Sequence, residues 1–110
     1  MERFEGKAHL PGTEGERSIE LEIDWGEKDV TVRIPDVPGG LKEWPGLAVQ
    51  TFGQVEEIVF RTKGIPPLFT HWWHFARGGH DELAGIILAP PDANGVWRTC
   101  MLVMDKTGEK

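Results

Sequence analysis

The chain has 110 residues, 39% of them hydrophobic, enough for a single domain spanning residues 1 to 110 to bury roughly 65% of its unfolded surface around one core. Its net charge of −6 is uneven, residues 1 to 57 summing to −7 and residues 58 to 110 to +1, and there is no basic stripe of the kind that neutralises phosphates, so nucleic acid is excluded as an expected partner. No window approaches the ~18 apolar residues that span a bilayer; the single Cys100 rules out an intrachain disulfide, and the opening MERFE lacks the apolar core of a secretory signal, so no membrane partner and a reducing, cytoplasmic setting are expected.

Fourteen glycines and eight prolines cut the chain into short segments, most of which alternate with period two, the signature of strands. The first, RFEGKAHL, sets Phe4, Gly6, Ala8 and Leu10 against charged neighbours and turns at PGTEG. In RSIELEID, Ile19, Leu21 and Ile23 share one side while Ser18, Glu20, Glu22 and Asp24 share the other. DVTVRIP repeats the pattern with Val30, Val32 and Ile34, and the hairpin-length WGEK between the two predicts antiparallel pairing. Residues 36 to 46, DVPGGLKEWPG, carry too many prolines for a helix or a central strand and read as a loop covering one end of the sheet, anchored by Leu41 and Trp44. LAVQTF and VEEIVFRT follow as strands around Gly53 and Gln54, and the last third supplies LFTHWWHFAR, ELAGIILA and VWRTCMLVM, separated by GGHD and PPDANG. Across GGHD a four-residue loop would set Arg77 opposite Glu82 and Phe75 opposite Ala84, and this register is preferred because it pairs opposite charges. The count is eight strands with no secure helix.

The two halves differ. Strands of the first half are apolar on one side only, whereas those of the last third are apolar on both: Ala84, Ile86 and Leu88 against Leu83 and Ile87, and Trp97, Met101 and Val103 against Val96, Cys100, Leu102 and Met104. One side fills the core. The other calls for the loop at 36 to 46, a bound ligand or a second chain.

The segment FTHWWHFARGGHDE holds three of the four histidines and two of the five tryptophans. On a strand, His71 and His74 stand about 10 Å apart on opposite faces and cannot bind one ion; a helix would bring them together, but the neighbouring β patterns favour a strand. Its alternation puts His71, Trp73, Phe75 and Arg77 on one side and Trp72, His74 and Ala76 on the other, so one of the two adjacent tryptophans enters the core and its neighbour reaches a surface, interface or pocket mouth. His80 and Asp81 are weak metal or proton-transfer candidates, since an Asp in such a turn more often bonds its own backbone. No metal or cofactor is expected, because no third ligand accompanies them. Ser18, the one serine, lies on a charged face without a nucleophile elbow; Cys100 reads as a buried, unreactive thiol; Glu56 and Glu57 point to opposite sides. No phosphate-binding or dinucleotide-binding glycine motif occurs. Trp25, Trp44 and Trp97 read as plugs at the ends of the core.

The stretch ELAGIILAPPDANGVWRTCMLVM, with Leu83 and Gly85 spaced as leucine-x-glycine, a turn and a final apolar strand, resembles the closing hairpin of small calycin-type β-barrels, which share their shape with lipocalins and streptavidin. The resemblance covers residues 82 to 104 and implies barrel closure; the early Gly-x-Trp signature of lipocalins is absent, so no binding residue is carried over. The expected architecture is an all-β, single-domain antiparallel meander barrel of about eight strands, with a two-sheet sandwich as the alternative. The expected function is non-catalytic: binding of a small apolar or aromatic ligand, homodimerisation through the C-terminal strands, or both, with His71, Trp72, Trp73 and His74 nearest the working surface. The competing readings are a metal-dependent or acid-base enzyme centred on residues 71 to 81, and a structural subunit that docks through its acidic N-terminal sheet.

Overall fold

A computed structural model describes residues 1–10, 15–36, 42–54, 56–65, 69–79, 81–90 and 94–109. They form one antiparallel sheet of nine strands and no helix: β1 (Glu2–Ala8), β2 (Arg17–Asp24), β3 (Asp29–Arg33), β4 (Glu43–Pro45), β5 (Leu47–Phe52), β6 (Glu57–Ile65), β7 (Phe69–Gly79), β8 (Glu82–Ala89) and β9 (Arg98–Glu109). Their order across the sheet is β4-β3-β2-β1-β9-β8-β7-β6-β5, and the sheet curls into a nearly closed barrel. The ends meet where β4 passes into β5. Gly46, between them, donates its N–H to the Val30 carbonyl at 2.8 Å, and a Cβ there would overlap the Val30 side chain and approach Phe60 to 3.2 Å. Only glycine lets the chain cross from β3 to β6 so tightly, and that crossing closes the wall.

The period-two patterns are realised residue by residue. Phe4, Ala8, Leu10, Ile19, Leu21, Ile23, Val30, Val32 and Ile34 are all buried, and β2 pairs with β3 from Asp24 opposite Asp29 to Glu20 opposite Arg33. Trp44 is buried as anticipated, but it lies on the short strand β4, opposite Val32, rather than in a loop; this edge strand is the ninth. Leu41 lies outside the described residues. A wall of this many strands encloses about as much space as side chains can fill, and Trp44, Trp73, Phe4, Phe60 and Phe75 fill it together with the aliphatic residues. Phe60 and Trp73 stack at 5.6 Å between ring centroids, and the Trp73 indole N–H donates to Thr62 Oγ1 at 2.8 Å, satisfying the one polar atom that this ring brings into the core.

Two sequence expectations are corrected. The β7–β8 hairpin pairs Gly79 with Glu82, Arg77 with Leu83 and Phe75 with Gly85, with an irregularity between Arg77 and Gly79, so Arg77 does not face Glu82. The expected register would have set the buried Phe75 opposite the outward-facing Ala84, and burial outweighs one surface charge pair. Gly85 is required by the true register, because a Cβ there would overlap the His74 carbonyl and Phe75. The last strand starts at Arg98 and runs on to Glu109, since β1 pairs with its far end, Glu2 opposite Glu109. Trp97 therefore precedes the strand and is 53% exposed rather than plugging the core.

Candidate functional site

Inward and outward positions alternate strictly along β7: His71, Trp73 and Phe75 are buried, while Trp72 and His74 are exposed. The four sequence-nominated residues thus fall on two surfaces. His71 lies opposite Thr62 and shares the interior with Trp73, and Trp72 and His74 stand outside. Asp81 is exposed in the β7–β8 turn, where its carbonyl accepts the Lys106 N–H at 2.8 Å; His80 lies outside the described residues. Among the described residues no group of three or more histidines, cysteines or carboxylates could hold a metal ion.

The outer surface of β6 to β9 is the unusual one. Cross-strand registers assemble its outward residues into three rows: Arg61, Trp72, Leu88 and Thr99; Val59, His74, Ile86 and Met101; Glu57, Ala76, Ala84 and Val103. Trp72 is 41% exposed, Ile86 40%, Val103 58% and Met101 86%. Within these three rows the charged side chains of the carboxylate and guanidinium kind come from β6. The Arg61 guanidinium lies 5.7 Å over the Trp72 ring, and the Glu57 carboxylate meets His74 Nε2 at 3.0 Å. Sequence reasoning found the doubled apolar faces of β8 and β9 but passed over Arg61 and weighed Glu57 only as half of a carboxylate pair with Glu56; only the β6–β7 register brings Arg61 and Glu57 to Trp72 and His74.

A second assembly closes one end of the barrel. Arg77 donates to Glu2 at 2.7 Å and to Glu56, Lys106 reaches Glu2 at 3.2 Å, and the guanidinium sits 5.9 Å from the Phe4 ring and 5.7 Å from that of Trp25. Burial opposes ionisation of Glu2, but the hydrogen bonds and charges of Arg77 and Lys106 prevail and hold its carboxyl below the usual range; Glu2, and after it Glu56, push the Arg77 pKa up. A cleft of about 340 Å³ opens here between Glu2, Trp25, Thr51, Gly53, Glu56 and Arg77. With each cation facing a carboxylate, the cluster ties β1, β7, β9 and the turn before β6 together. Cys100 is half-buried on the inner side of β9, and burial pushes its thiol pKa up despite a hydrogen bond from the His9 backbone, which leaves little thiolate for nucleophilic work.

No protein-family model, curated protein or solved structure matches this chain, so its residues carry the functional argument by themselves.

Proposed function

We propose that this chain is a non-catalytic, cytoplasmic binding domain that associates with a second copy of itself through the outer face of β7, β8 and β9. One observation carries the reading: Trp72, Ile86, Met101 and Val103 stand on three adjacent strands as a contiguous exposed apolar field, on a barrel whose interior has a full complement of aromatic side chains already. Apolar fields of this kind on soluble proteins mark contact surfaces, and self-association is the simplest closure for one that lies on the body of a sheet.

Binding of a small apolar or aromatic ligand is the second reading, favoured by the cleft beside Trp25 and Arg77. Native mass spectrometry of the purified protein separates the two. A dimer with no added mass, converted to monomer by Met101→Glu, supports self-association. A monomer that retains an organic mass and loses it on Trp25→Ala supports the ligand; a monomer carrying a metal ion would instead revive an enzyme centred on residues 71 to 81.

A further inference from the structure

Resting on the self-association reading, we infer how the two copies dock: outer face to outer face, about a two-fold axis that lies between the two faces parallel to the sheet, runs across the strands and passes over the row Val59, His74, Ile86 and Met101. Rotation about such an axis carries the residue two places before this row on each strand onto the residue two places after it in the other copy. Three strands are built for that exchange. On β7 the bulky Trp72 would meet the partner copy's small residue at position 76, and on β8 Leu88 would meet the small residue at position 84. On β6 the positive Arg61 would meet the negative residue at position 57. Each pair has its midpoint in the same row.

The charges fit this arrangement in a second way. Arg61 and Glu57 are four residues apart on one strand, about 13 Å, too far to pair within one copy. Glu57 leans onto His74 and Arg61 onto Trp72, so both heads are drawn from the curving wall toward the centre of the face. The Arg61 guanidinium has no carboxylate partner among the described residues. A partner copy brings one to it twice per dimer, which the isologous symmetry of a two-fold interface requires. An axis parallel to the strands is a poorer fit. It would set Trp72 against Leu88, leave Ala76 against Ala84 with a gap, and place Arg61 and Glu57 opposite uncharged β9 residues.

Twelve outward residues cover an area about 14 Å across the strands and 13 Å along them between Cα atoms, smaller than the roughly 800 Å² per partner of a standard interface. An interface of this size is expected to be weak, so the test must reach about 500 μM. Sedimentation equilibrium would be run on the wild type, Arg61→Glu, Glu57→Arg and an equimolar mixture of the two variants, with circular dichroism confirming that each is folded. The docking predicts that either reversal alone weakens the dimer about tenfold or more, by setting like charges together twice, and that the mixture recovers near-wild-type affinity as a heterodimer. A wild-type dimer that tolerates both reversals, or a mixture that recovers nothing, overturns this geometry and leaves self-association standing. A wild type that stays monomeric throughout overturns both.

Discussion

The outer faces of β2–β3 and of β7–β9 are built on the same inner pattern and have opposite outer chemistry. On β2 and β3, Arg33 gathers Glu20 at 3.3 Å, Glu22 and the Glu43 of β4 at 3.5 Å, a charged network suited to water. On β7 to β9 the equivalent positions hold Trp72, Ile86, Met101 and Val103. Both regions satisfy the core equally. The outer chemistry is therefore free to vary, and the proposed dimer offers a reason for its becoming apolar across three strands.

If the inner faces are equivalent, truncating either should cost the most. Trp73→Ala should lower unfolding free energy by about 3–5 kcal/mol and Leu21→Ala by about 2–5 kcal/mol, measured by denaturant melts below the association range; a Leu21 variant that melts like the wild type would break the comparison from the N-terminal side. The outer faces should then part company. Met101→Glu should weaken self-association about tenfold or more while shifting monomer stability by no more than about 0.5 kcal/mol. Glu22→Gln should do the reverse, leaving association unchanged and removing up to about 1 kcal/mol of stability with its Arg33 contact.

Acid should expose the cluster that ties the two regions together. Because the folded-state pKa of Glu2 lies below its ordinary value of 4.5, its contribution is complete above that value and is lost as pH falls through the lower folded value. Glu2→Gln should cost about 1 kcal/mol at neutral pH and flatten the acid limb of the stability profile; an unchanged limb would mean that other carboxylates dominate it. The smallest effect is at Cys100. Its raised pKa predicts reaction with a thiol reagent at neutral pH well below that of a free cysteine, with release on unfolding.

What the sequence determined by itself was local: which positions on the first three strands face inward, that Trp72 and Trp73 part company, that Trp44 is an anchor, and that the last strands are apolar on both sides. Period-two alternation is a property of the extended backbone and needs no knowledge of neighbours. What only the tertiary structure decided was which strands meet and in what register. The pairing of β1 with β9 extends the last strand to Glu109 and leaves Trp97 outside; the fit of Phe75 against Gly85 overrides an attractive charge pair at Arg77; Gly46 turns a loop prediction into an edge strand and a closure. Arg61 and Glu57 became part of a candidate surface only because β6 lies beside β7. Register is a long-range outcome: shifting a strand by one residue exchanges its two faces, and the cost of that exchange is set by the packing of the whole interior, which no short stretch of sequence contains.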